Sequence, residues 1–185
     1  MRRLSPKDTL LVVVDVQERL ATAMPPEAFA RLIANTSILL DAARILGVPV
    51  MASEQYPKGL GPTVAPLAAK LAERGVTPIE KLHFDACGEA RFALALSALA
   101  PRSVVVVGME AHVCVFQTAR ELVQRGYATY VVADAVTSRR DESRAVGLSL
   151  CERAGAVVTS TEAVAFDLVE RAGTDAFKAI SKLVK

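Results

Sequence analysis

Tryptophan is absent from this chain and aromatic residues make up only 5% of it, which disfavours recognition through an aromatic-rich surface. Cysteine is scarce and odd in number: Cys87, Cys114 and Cys151, with no paired spacing. That pattern offers neither a disulfide framework nor a set of zinc thiolates, and it suits a reducing compartment. The two histidines, His83 and His112, lack the spacing of a metal pair, so neither a metal nor a cofactor is expected. Charge of one sign is also missing. The 22 basic and 20 acidic residues leave a net +2, spread without a basic patch or arm, which disfavours nucleic acid as a partner. No apolar run is long enough to cross a membrane. The opening MRRLSPKDTLLVVVD looks superficially like a signal peptide, but its apolar run, Leu10–Val14, is short and bracketed by Asp8 and Asp15. A strand in a cytoplasmic protein is the expectation.

What is present is apolar and regularly punctuated. Hydrophobic residues are 52% of 185, enough for one domain over residues 1–185 with a two-sided core. Strands are expected at Leu10–Val14, Val48–Ala52, Thr77–Lys81, Val104–Val107, Tyr127–Ala133 and Ala156–Thr159. Helical periodicity lies between them, at Phe29–Leu46, Val64–Arg74, about Glu89–Leu99, from about His112, and from Asp141 to about Ala154. One or two further helices follow Thr161, broken at Ala172-Gly173-Thr174, and Ser53–Pro62 reads as a shaped, turn-rich loop. This alternation calls for an α/β fold: a three-layer, doubly wound, mainly parallel sheet of order 3-2-1-4-5-6 with helices on both faces.

The stretch Arg102–Gly126 organises the rest. A β-branched run ends at Gly108, and a helix then starts with Cys114 in its first turn. Unpaired backbone N–H groups and the helix dipole there favour a thiolate, which would make Cys114 reactive; a small buried hydrophobe is the alternative. In this fold class ligands sit beyond the carboxyl ends of the strands at the switch in strand order. The polar residues at those ends are Asp15, Ser53–Tyr56, Lys81, then Glu110, His112 and Cys114, and finally Asp134. Strands one and four are neighbours in the expected order, so Asp15 and Cys114 face one another. Lys81 is two strands away, roughly 10 Å, and its long side chain must cover that gap. Each of these has a plainer alternative: Asp15 as a turn cap, Lys81 as a solvated surface lysine, Cys87 and Cys151 as packing.

These residues fall into three ordered motifs: DVQ at Asp15–Gln17, Lys81 followed by LHFDAC, and GMEAHVCV from Gly108 to Val115. With them the chain resembles, over its whole length, the isochorismatase-like cysteine hydrolases, and within them the small isochorismatase-domain proteins. The resemblance implies a triad in which Asp15 takes the thiol proton, Lys81 holds the carboxylate, and Cys114 attacks a carbonyl to form a thioester. It implies oxyanion donors at the Cys114 and Glu110 backbone, a cis peptide at Met109–Glu110, and assembly into homo-oligomers. Gln17 in the first motif, His112, and the candidate walls Tyr56, Phe84 and Phe116 complete the expected site around a small-molecule substrate. Nicotinamidases carry an Asp-x-His…His metal site before the lysine, and here no histidine lies between strand two and Lys81. Siderophore-pathway isochorismatases lack the cysteine. A metal-free amidase is therefore the leading expectation, with a non-catalytic binding protein or a Cys114–Cys87 redox pair as alternatives.

Overall fold

The computed structural model describes residues 2–185. Six strands form one parallel sheet in the order β3-β2-β1-β4-β5-β6. They are β1 Thr9–Val14, β2 Val50–Gln55, β3 Ile79–Lys81, β4 Ser103–Met109, β5 Ala128–Thr137 and β6 Val157–Thr159. The expected α/β architecture and strand order are those observed.

Alternation along the strands sorts the core into two layers. Leu11, Val13, Val105, Val107, Tyr130 and Val132 point to one face. There they meet α2 (Pro26–Leu46), α4 (Ala65–Ala72) and α8 (Thr161–Val169) through Leu32, Leu40, Leu67, Leu71 and Val164. Leu10, Val12, Val14, Val104, Val106 and Val131 point to the other. That face is covered by α5 (Ala90–Leu99), α6 (Phe116–Gln124) and α7 (Asp141–Arg153), through Phe92, Leu96, Leu122 and Cys151. A last helix, α9 (Asp175–Leu183), buries Ile180 against α2 and α8. Among the described residues no helix is long and apolar enough to cross a membrane.

Three expected boundaries move, two of them because sheet pairing overrides local composition. β2 continues through Ser53, Glu54 and Gln55, since β3 pairs with it there: Ser53↔Ile79, Glu54↔Glu80, Gln55↔Lys81. Only the remainder of the expected loop is irregular, and it includes a single turn, α3 (Pro57–Leu60), opposite the short α1 (Glu18–Ala21). α2 begins at Pro26 rather than Phe29, with proline in the first turn, where its missing N–H costs nothing. β5 runs on to Thr137 past an irregularity between Val106 and Gly108. Asp134 thus lies within β5 and not at its end. Its Oδ1 accepts from the backbone N–H and hydroxyl of Thr161 at 2.8 and 2.9 Å, capping α8.

β1 and β4 run side by side in register from Thr9↔Ser103 to Val14↔Gly108. Gly108 has φ 125°, and a Cβ there would stand 2.0 Å from the Val14 carbonyl oxygen. No side chain fits unless the two strands part at the point where the chain turns toward Cys114. Gly108→Ala is accordingly expected to lower stability by about 2 kcal/mol or more. A urea unfolding midpoint within error of the parent would contradict this.

Candidate active site

The site lies beyond the carboxyl ends of β1, β2, β3 and β4, and strand register places its parts. Asp15 leaves β1 with a left-handed backbone, φ 51°, and its N–H donates to the Ser53 carbonyl at 3.1 Å. Its side chain is thereby turned under the strand ends. Ser53 Oγ donates to Asp15 Oδ1 at 2.7 Å. Lys81 ends β3, and its Nζ passes over the end of β2 to lie 2.7 Å from Asp15 Oδ2, both side chains 0% exposed. The two-strand gap is closed by the length of the lysine.

Lys81 Nζ has three protons, and three acceptors take them: Gln55 Oε1 at 2.7 Å and the His83 and Phe84 carbonyls at 3.1 Å each. Its contact with Asp15 Oδ2 is one of charge, and that oxygen has no aligned hydrogen-bond donor. Gln55 is itself held at every polar atom. Its Nε2 donates to the Leu82 carbonyl at 2.9 Å and its N–H to Gln17 Oε1 at 2.7 Å. Gln17 Nε2 returns to the Gln55 and Gly61 carbonyls at 3.1 and 2.7 Å. Gln17 is therefore a strut behind the ion pair, remote from the reacting face.

Cys114 approaches from the opposite side. Between β4 and α6 the chain makes one wide π-helical turn, Ala111–Val115, with the Val115 N–H on the Glu110 carbonyl at 3.2 Å. α7 is seated on this turn at Gly147, where a Cβ would meet the Ala111 backbone at 2.6 Å. The Met109–Glu110 peptide before it is cis. Cys114 is 6% exposed, and burial is the foremost cause that pushes its thiol up. The Asp15 charge pushes the same way, and the Lys81 charge opposes it. Desolvation thus favours the neutral thiol, against the thiolate expected from the helix start, because Lys81 is already matched by Asp15 and leaves little net positive charge beside the sulfur. Burial likewise pushes Cys87 and Cys151 up to about 12.

A cavity of about 310 Å³ opens onto Cys114. Leu20, Leu60, Phe84 and Val113 form its apolar walls. Its polar positions beside Cys114 are Gln55, Glu110 and Arg139. The Glu110 side chain, 5% exposed, pairs with Arg139, 58% exposed, at 2.6 Å from Nη2 to Oε1. Arg139 Nε and its backbone N–H add bonds of 3.1 Å to Oε2. Burial acts to raise the Glu110 pKa, but the side-chain and backbone hydrogen bonds from Arg139 and its charge outweigh it, and the carboxyl ends below its ordinary range.

Asp15, Lys81, Cys114, Glu110 and Phe84 are thus brought together, with Gln17 behind them. Tyr56 and Phe116 do not line this cavity. Tyr56 faces a neighbouring hollow with Lys58, Glu80 and Leu82, and the Phe116 ring lies under the Arg120 guanidinium at 5.1 Å. His112 Nδ1 is 3.0 Å from Ser138 Oγ, beside the cavity. Arg139 is absent from the sequence expectations because strand five was placed to end at Ala133; the polar run Ser138-Arg139-Arg140 ahead of α7 was its only trace. Among the described residues no cluster of His, Cys, Asp and Glu could hold a metal ion.

Two outcomes are expected. Lys81→Met leaves Asp15 buried without its cation and costs about 3–5 kcal/mol, of which an added Asp15→Asn recovers part, measured by chemical denaturation; an unchanged single variant would refute the coupling. Iodoacetamide labelling of Cys114 should rise with pH through a midpoint above the free-thiol value of about 8.5. A plateau already reached near neutrality would reveal a resting thiolate instead.

The family model for the isochorismatase domain matches residues 9–163. The chain is 38% identical over 182 residues to isochorismatase domain-containing protein 2 of Danio rerio, covering 98% of this chain and 89% of that one. The structure of the MAR1 ribonuclease of Caenorhabditis elegans superposes with a TM-score of 0.91 at 39% identity, covering 99% of this chain and 92% of that one. The Escherichia coli YcaC gene product, described as an octameric hydrolase of unknown specificity, shares the fold at a TM-score of 0.87 and 22% identity, covering 99% and 91%.

Proposed function

The chain belongs to the isochorismatase domain family, and from that premise we propose that it is a metal-independent hydrolase of a small-molecule amide, acting through a thioester at Cys114. One observation carries the proposal: Asp15 Oδ2 is a buried carboxylate oxygen, next to a cation, with no hydrogen-bond donor aligned on it. A buried acceptor left open in this way is costly, and the neighbouring thiol is the group in reach to fill it.

The steps follow from that placement. As Cys114 Sγ attacks the amide carbonyl, its proton passes to Asp15, so a thiolate never stands free in the buried site. The S–C bond forms and the carbonyl oxygen becomes an oxyanion. Backbone N–H groups of the Ala111–Val115 turn are its proposed donors. Collapse breaks the C–N bond, and Asp15 returns the proton to the departing amine. Water, deprotonated by Asp15, then attacks the thioester carbonyl; the S–C bond breaks, the carboxylic acid departs, and Asp15 returns the proton to Cys114 Sγ. Lys81, fixed by three acceptors, cannot swing away and keeps the Asp15 side chain in place beside the sulfur.

Self-association and a cytoplasmic location belong to the same proposal. The octameric relative of the same fold and the exposed Tyr56, Leu82 and Phe84 support the first. Three unpaired, buried thiols support the second. The similarity to a protein named a ribonuclease raises a second reading, phosphodiester cleavage at the same centre. The enclosure of Cys114 in a cavity of about 310 Å³ favours a small molecule over a polymer.

An ammonia-release screen over small amides tests the proposal. Cys114→Ala should reduce turnover of any hit by at least about a thousandfold. Asp15→Asn should do nearly as much while the fold persists. Full turnover by Cys114→Ala would refute the mechanism, and RNA degradation lost in that variant would establish the second reading.

A further inference from the structure

Two cation–carboxylate pairs flank Cys114, one beneath it and one in the wall of its cavity, and they differ in who can leave. Asp15 and Lys81 are wholly buried and locked. Glu110 and Arg139 form the other pair at the cavity mouth, with the carboxylate buried and the guanidinium half in water. An arginine at the mouth of a small pocket would ordinarily suggest a clamp for an anionic substrate. Here its Nε, Nη2 and backbone N–H all donate to Glu110, so its charge is matched by that buried carboxylate although Nη1 keeps its protons. A substrate carboxylate that took the guanidinium would strand Glu110 in a site with no other cation free, because Lys81 is spent on Asp15, Gln55 and two carbonyls. The buried partner of a broken pair bears the larger penalty. The remaining walls, Leu20, Leu60, Phe84 and Val113, offer apolar surface only.

We infer that Glu110 sets substrate choice by sequestering Arg139, so that the site takes uncharged small amides with an apolar acyl group and excludes those whose acyl group bears a carboxylate. This rests on the cysteine-hydrolase reading above and specifies its substrate class. Glu110 is here a positioning residue, acting through Arg139. Chain chemistry between Ser138 and Arg140 reinforces it: the Ser138 hydroxyl is tied to His112 and the Arg139 backbone to Glu110, which keeps the arginine at this one station.

Two alkylating probes of nearly equal size separate the charges: neutral iodoacetamide and anionic iodoacetate. In each, Sγ displaces iodide to form a thioether and the thiol proton is lost. Labelling at Cys114 is followed by peptide mass, and the ratio of the two rates is divided by the same ratio for 2-mercaptoethanol. That normalised preference for iodoacetamide is expected to be about tenfold or more. Glu110→Gln frees Arg139 and should bring the preference down toward the free-thiol value, chiefly by accelerating iodoacetate. The double variant Glu110→Gln/Arg139→Gln, which removes both charges, should keep the parent's preference. Equal normalised rates in the parent, or a drop in preference in the double variant as large as that in Glu110→Gln, would overturn the inference while leaving the cysteine mechanism standing. Labelling by neither probe at Cys114 would overturn both.

Discussion

Everything around the site depends on an ion pair buried without water, Asp15 with Lys81. Removing two charges from solvent is costly, and the mutual attraction compensates only when the remaining donors and acceptors are also satisfied. That requirement explains the surroundings. Ser53 meets one carboxylate oxygen; Gln55 and two carbonyls of the turn after β3 meet the ammonium; Gln17 braces Gln55. Polar residues that would ordinarily end a strand are drawn into β2 because the pair needs them there.

The same pair decides the state of the cysteine. A lone lysine or a helix N-terminus beside a thiol favours the thiolate. A lysine already matched by a carboxylate does not, and an enclosed thiol with a carboxylate in hydrogen-bond reach keeps its proton. The nucleophile proposed here therefore differs from an exposed, standing thiolate. In that proposal Asp15 receives the proton as attack proceeds. Such an arrangement makes fast attack depend on a well-seated substrate.

Fold and family leave the chemistry wide, since one scaffold serves many reactions. What narrows it is the content of one cavity of about 310 Å³: a buried thiol at its floor, aliphatic and aromatic walls, and a second ion pair at its mouth. In the first pair both charges are locked; in the second only the carboxylate is buried. The asymmetry converts what looks like an anion clamp into a device against anions.

The sequence alone determined the order of elements, the two faces of the sheet and the motifs at the strand ends. Those depend on local quantities: the alternation of Val12, Val13 and Val14, the helical spacing in α6, the glycine at the turn after β4. It also pointed to Asp15 and Cys114 by position, each just beyond an apolar strand, and to Lys81 through the resemblance carried by the three ordered motifs. The meeting of these residues was decided only by tertiary structure, through a register in which Asp15 is bonded to Ser53 and Gln55 is paired with Lys81. The burial of Cys114, the capping role of Asp134 and the pairing of Arg139 with Glu110 were likewise decided in three dimensions. Charge state and partnership are set by the exclusion of water and by distances across elements far apart in the chain, and neither is written in any local stretch of residues.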